Sequence, residues 1–337
     1  MNSEFPPPSP DKRDGEAGNQ VPEKKERRVK MNVRFPVLDT LGEFGGSMTR
    51  RFTILVLILV LTASLGAAGE SDGSVFMWKA QKDGAAVYLL GSVHALKEDA
   101  YPLPSVIEAA FDQSAVVVFE IDLDEMTSAA LQMFAAGSLE DGQTLAEVIG
   151  PELWSEFSEK MNASEMPPSM FQFMKPWMAA LSLASLELEK AGYSPASGID
   201  THFSNRAKAV GKERMALETV EFQVGLFADL TPKESLAFLE YTVADLETMI
   251  PVLDELAAKW LVGDARYVQT MMGDEFEDYP DLYEKLISGR NRNWMPAIED
   301  LLTGQRDAMV VIGAMHLVGE DGIIEMLRQK GHTVTQQ

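Results

Sequence analysis

Two apolar runs in this chain end in the same way. Val87-Tyr-Leu-Leu-Gly91-Ser-Val-His94 and Met309-Val-Val-Ile-Gly313-Ala-Met-His316 each place a histidine three residues after a glycine. Each is followed by an acidic pair, Glu98-Asp99 or Glu320-Asp321, and then by an amphipathic stretch. A short apolar run bounded by glycine reads as a buried strand. Glycine permits a sharp exit from that strand, positive φ included. A side chain just beyond the exit stands at the carboxyl edge of a sheet, where open α/β sheets place their ligands. One such histidine reads most simply as a turn cap. Two of the chain's four histidines in matching contexts predict instead that His94 and His316 share a site.

The other elements fit a sheet around those two units. Val75–Lys79 and Ala86–Leu90 read as a hairpin across Lys82-Asp83-Gly84, and Ala115–Ile121 as a buried strand that delivers Glu120. Ser105–Gln113 has helical spacing, and residues 125–190 and 234–303 are mostly helical. Gly198-Ile-Asp200 opens a helix through Ala209, and Gly211-Lys212 turns into a strand at Arg214–Leu217 that delivers Glu218. Ala308–Ile312 and His332–Thr335 complete the strands, with a helix at Gly322–Lys330 between them. The expectation is an α/β fold: a central mixed sheet covered by helices, with two Gly-x-x-His strand-turn units and two long helical insertions. Residues 74–337 form a single domain in this reading.

The N-terminal part differs in kind. Residues 1–47 carry Pro6–Pro8 and a mixed charged run, with few periodic apolar positions, and read as a disordered extension. Translation from Met48 would leave that extension out. Residues 48–69 then have the order of an export signal: Arg50-Arg51, the charge-free run Phe52–Leu65, and the small residues Gly66-Ala-Ala68. A run of 14 residues is short beside the roughly 20 of a spanning helix. An uncleaved anchor, with membrane association through residues 52–65, is the alternative. Either way the protein is expected outside the cytoplasm, periplasmic or secreted.

Charge and cysteine content exclude several functions. Residues 1–51 hold 10 of the 29 basic and 8 of the 52 acidic residues, so the remainder carries 19 against 44, a net of −25. Such a body repels phosphate backbones, and no basic stripe with interleaved aromatics offsets it, so no nucleic-acid partner is expected. The absence of cysteine excludes disulfides, thiolate metal sites and cysteine nucleophiles.

Taken in order, several short segments resemble one known family. They are Leu-Leu-Gly91-Ser-Val-His94, Val-Val-Phe-Glu120-Ile-Asp122, Gly198-Ile-Asp200, Gly211-Lys212 leading to Leu217-Glu218-Thr219 and Gln223, Trp260-Leu-Val-Gly263-Asp264, Arg290-Asn291-Arg-Asn-Trp294, and Gly313-Ala-Met-His316-Leu317-Val-Gly319. From about Val75 to the C-terminus the chain resembles the TraB/GumN family. That family is related to the Tiki metalloproteases and more distantly to erythromycin-esterase-like and ChaN-like proteins. The resemblance implies a metal-dependent peptidase centred on the two Gly-x-x-His turns, and supplies a site rather than a substrate.

Residue chemistry gives the site a candidate content. Imidazole and carboxylate suit zinc, manganese or cobalt, and His94, Glu120 and His316 are the candidate metal ligands. A carboxylate at the end of a buried strand needs a compensating cation, so a salt bridge from Glu120 to Arg290 or Lys212 rivals the metal. In a metal-free version His94 acts as general base on water with Glu120 orienting it. Glu218 is a fourth ligand or the base. Arg290 stabilises an oxyanion or grips a substrate carboxylate, or else forms a surface ion pair. Gln223 and Asn291 are assigned to substrate binding, with a solvated loop as the plain alternative for Gln223. Asp200 is expected to cap its helix, and His202 and His332 to be incidental. The Met-rich stretch Met161–Met178 is expected to pack in a core rather than line a groove.

Two functions compete on these residues. One is an exported metal-dependent hydrolase acting on a peptide or another small amide or ester substrate. The other is a non-catalytic cell-envelope protein that binds a peptide, haem or glycan. The intact set His94, Glu120, Glu218, Arg290 and His316 favours catalysis.

Overall fold

Val/Leu/Ile-rich segments with no polar alternation have to be covered on both faces, which is the setting of parallel strands. The computed structural model describes residues 73–82, 85–140, 142–276 and 280–337, and there the apolar runs form such a layer. Its strands are β1 (Met77–Lys82), β2 (Ala85–Ser92), β3 (Val116–Phe119), β4 (Glu213–Ala216), β5 (Ala308–Gly313) and β6 (Thr333–Gln336). They lie in the order β4-β3-β5-β2-β1-β6. The inner pairs β3–β4, β3–β5 and β2–β5 are parallel, while β1 runs antiparallel to both β2 and β6. The sheet is therefore mixed and helix-covered, as expected. Every residue of β2 and β3 is buried.

Among the described residues the α-helices longer than four residues are α1 (Ser105–Gln113), α2 (Met126–Gly137), α3 (Leu145–Ala163), α4 (Pro176–Lys190), α5 (Ile199–Val210), α6 (Val220–Ala228), α7 (Pro232–Leu261), α8 (Ala265–Phe276), α9 (Gly289–Thr303) and α10 (Ile323–Gln329). Their ends follow local chemistry. Thr144 with Glu147 and Thr231 with Glu234 form capping boxes at the starts of α3 and α7. Gly211 takes the left-handed conformation that closes α5. Helix α7 runs 30 residues and packs its apolar stripe, including Phe238, Leu253 and Trp260, into the main core. Met161 and Trp177 are buried in that core too, so these two members of the Met-rich region serve packing. Helix α6 carries Gln223, so the loop alternative for that residue does not hold.

The two motif glycines serve a different purpose from the expected one. Gly313 has φ −48°, and Gly91 is not among the positive-φ glycines, so neither needs left-handed backbone. Both allow close approach. A Cβ on Gly91 would overlap the Phe76 ring, and one on Gly313 would lie 3.2 Å from Glu120 Oε1.

The expected extension at 1–47 and the segment 48–69, including the apolar run 52–65, lie outside the described residues. Among the described residues no helix is long and apolar enough to cross a membrane.

Candidate active site

Four adjacent parallel strands each end on a functional residue. Strand β2 leads through Ser92 to His94, β3 to Glu120, β4 to Glu218, and β5 through Gly313 to His316. Register does the alignment: Ser92 pairs with Gly313, and Phe119 pairs with both Val311 and Ala216. Side chains far apart in sequence thus meet at one carboxyl edge, as the repeated motif predicts.

Helix α9 adds the cation. A π turn at Glu284–Ser288 precedes it and sets its rotation, so that Arg290 and Asn291 face inward. Arg290 is 3% exposed. Its Nη2 donates to Glu120 Oε2 at 2.6 Å and to Glu218 Oε2 at 2.8 Å. Nε donates to Glu218 Oε1 at 2.9 Å. Nη1 donates to the Leu286 carbonyl at 3.3 Å and faces His316 Nε2 at 3.1 Å. All five guanidinium N–H groups thus have partners inside the protein. Glu120 Oε1 also accepts from the Gly313 N–H at 2.7 Å. Gln223 donates to both carboxylates, and Trp294 Nε1 donates to Glu218 Oε1. Burial opposes ionisation of Glu120, but Arg290 foremost, then His316, His94 and the Gly313 N–H, hold its carboxyl well below the usual range.

His316 is locked neutral. Its Nδ1 lies 2.7 Å from Asn291 Oδ1, which only accepts, so Nδ1 carries the proton. Nε2 is then the acceptor that faces Arg290. Burial and the neighbouring guanidinium pull its pKa down to about 3.

His94 is the opposite case. Its side chain is 31% exposed, and Nδ1 stands 3.0 Å from Asp200 Oδ1, which also accepts from Ser92 Oγ at 2.7 Å. Burial disfavours its charge, yet Asp200 and then Glu120 outweigh burial and raise His94 to about 9. Two buried carboxylates share the single Arg290 charge, and a protonated His94 supplies the balance.

These groups form the floor of a cavity of about 860 Å³, which His94, Glu120, Asp200, Gln223 and Arg290 line from below. Phe119, Leu123, Met126, Leu188, Phe227 and Leu286 make its apolar walls. A second void of about 20 Å³ lies between His94, Glu120, Arg290 and His316. It has room for one water molecule.

Several expectations are corrected by this geometry. Asp200 does not cap: Gly198 is the N-cap, and Asp200 sits in the first turn with its carboxylate turned to His94. A carboxylate at a helix start reads as a cap by default, and the sequence holds no mark of its long-range partner. Arg290 makes neither a surface ion pair nor a free contact to the cavity. It forms the buried bridge that rivalled the metal at Glu120. Lys212 takes no part, since its ammonium binds the Ser114 and Asp112 carbonyls. Asn291 is fully buried and its amide donates to the His316 and Asp321 carbonyls, so it orients His316 rather than touching substrate. Gln223 does line the cavity, but its amide is turned to the two glutamates. His202 packs between Tyr101 and Phe203, and His332 lies 3.8 Å from Glu299, both away from the site.

The candidate metal ligands His94, Glu120 and His316 do converge, but in this arrangement their donor set does not fit an ion. Both nitrogens of His316 are engaged, Glu120 Oε2 is bonded to Arg290, and that guanidinium stands between the two side chains. Among the described residues no group of three or more histidine, aspartate or glutamate side chains is placed to hold a metal.

A parallel-centred α/β sheet with titratable side chains at four neighbouring strand ends, two of which, His94 and Glu120, line the cavity, places the candidate site at the carboxyl edge where proteins of this class bind ligands. This chain belongs to the TraB/PrgY/gumN family, whose sequence model matches residues 76–336. It is similar to the uncharacterized protein YbaP of Escherichia coli (strain K12), 26% identical over 241 residues that cover 72% of this chain and 87% of that protein. It is also similar to Metalloprotease TIKI1 of Danio rerio, 24% identical over 316 residues that cover 79% of this chain and 63% of that protein. No solved structure matches the chain.

Proposed function

We propose that this protein is an exported hydrolase that adds water across a peptide bond or another amide or ester bond, with His94 as its base. The observation that carries this reading is the Asp200–His94 pair on the floor of a large cavity, beside a water-sized void walled by Glu120. In the neutral form of His94, whose share grows as pH approaches 9, a water in that void gives one proton to Nε2 as its oxygen attacks the carbonyl carbon. The same proton passes to the departing nitrogen or oxygen as the bond breaks. Glu120 Oε1 accepts only from Gly313 and keeps a lone pair to align the water. Export rests on the order of Arg50-Arg51, Phe52–Leu65 and Gly66-Ala-Ala68.

A second reading is the metal-dependent hydrolase that the resemblance implies. The name of the Danio rerio relative, a metalloprotease, favours it. It requires Arg290 to release Glu120 and His316 so that zinc, manganese or cobalt can take them. Peptide hydrolysis by protein purified without chelator, paired with metal analysis and a His94→Ala variant, separates the readings. Turnover that survives chelation and is lost in His94→Ala supports the base mechanism. Turnover lost on chelation and restored by a divalent ion moves the function to the second reading. Peptide binding without turnover in any condition leaves a ligand-binding protein.

A further inference from the structure

The cavity's charge pattern restricts what it can bind. Two side chains in its lining can be cationic, His94 and Arg290, and no lysine is among the lining residues. Each of the two is already matched to a carboxylate. Arg290 has given all five N–H groups to Glu120, Glu218, His316 and the Leu286 carbonyl. His94 turns Nδ1 to Asp200. A ligand carboxylate or phosphate entering the cavity therefore finds no free cationic fork, and a buried anion without one is costly.

Negative groups are more numerous. Glu120 and Asp200 lie on the floor, with Asp124 and Glu189 in the lining above. Lys208 and Arg214 neutralise Asp124 from outside the cavity. Glu189 is exposed at the end of α4 and has no ion-pair partner among the described residues. The charge of −25 on the chain beyond residue 51 adds a field of the same sign, and a low-dielectric cleft concentrates such a field. The walls between are apolar: Phe119, Leu123, Met126, Leu188, Phe227 and Leu286.

We propose that the cavity takes an apolar acyl or peptide segment that is uncharged at the reacting bond, accepts a positive charge near it, and turns away segments bearing a carboxylate or phosphate there. The inference rests on the hydrolase reading above and narrows its substrate class to internal or capped bonds, not those beside a free C-terminal carboxylate.

The test is equilibrium binding of three dansylated probes: dansyl-Leu-Leu-Leu-amide, dansyl-Leu-Leu-Lys-amide and dansyl-Leu-Leu-Leu with a free carboxylate. Probe integrity is checked by mass spectrometry after each titration. The neutral amide is expected to bind about tenfold more tightly than the carboxylate. The lysine probe is expected to bind at least as tightly as the neutral amide. High salt should narrow these gaps, and Glu189→Lys should narrow them at low salt. Equal or tighter binding of the carboxylate, no binding of any probe, or an unchanged gap in Glu189→Lys overturns the proposal. Binding is read whether or not a bond breaks, so discrimination without turnover sinks the hydrolase reading alone, and turnover without discrimination sinks only the charge selectivity.

Discussion

Nδ1 of His94 and Oδ1 of Asp200 stand 3.0 Å apart, and the pair sets the charge of the cavity floor near neutral pH. The imidazole rises from 6.5 to about 9 in the folded protein. A histidine raised on folding contributes stability that is complete below its unfolded value and disappears as pH climbs through its folded one. Urea stability should therefore lose a component between about pH 6.5 and 9, and Asp200→Asn should remove most of that component. With His94 as base, turnover should climb over the same window and level off near 9. A rate that falls as pH approaches 9 would assign His94 as an acid instead.

The buried cluster should respond steeply to loss of its cation. Arg290→Ala leaves Glu120 and Glu218 without their shared guanidinium, at a cost of roughly 3–5 kcal/mol. Arg290→Lys restores a charge without the planar fork and should fall between that variant and the native protein. Urea denaturation gives the ordering, and an Arg290→Ala protein as stable as the native one would show that the cluster contributes nothing net.

Asn291 should act through His316. Asn291→Ala leaves the buried His316 ring N–H and the buried His316 carbonyl without their partner, which costs on the order of 1–3 kcal/mol. Nitrogen NMR of the native protein should show His316 with its proton on Nδ1 and no titration above about pH 4, given a pKa near 3. Asn291→Ala should alter that signal. A His316 that titrates near 6.5 in the native protein would contradict its locked, neutral assignment.

The proposed export has a simple readout. The mature protein recovered outside the cytoplasm should begin near Ala68 or Gly69, as N-terminal sequencing would show. Intact chain confined to the cytosol would remove both the signal and the anchor readings of residues 48–69.

Much of the sheet was legible because His94, Glu120 and His316 each follow a short apolar run, and strand alternation with helices places the ends of those runs on one edge. Glu218 follows the charged and largely exposed strand Glu213–Ala216, which the turn at Gly211-Lys212 marks instead. What stayed hidden depends on rotation and long-range pairing. Asp200 looked like a cap because local sequence cannot report that Ser92 and His94 face it. Arg290 looked like a substrate contact because nothing local shows that two glutamates and a histidine consume its donors. The burial of Asn291 against His316 was hidden in the same way, since an asparagine beside an arginine carries no sign of burial.

The central strand of the sheet is also one of the last to be made. Strand β5 lies between β3 and β2, and its Gly313 N–H must find Glu120 across 193 positions, while Ala86 must find Asp307 across 221. Until Ala308–Gly313 leaves the ribosome, β2 and β3 have no strand to join them. Pairings of such long range form slowly. The sheet cannot take its final order before that strand is present. The strand-end edge that carries His94, Glu120 and His316 is completed only after nearly all of the chain has been made.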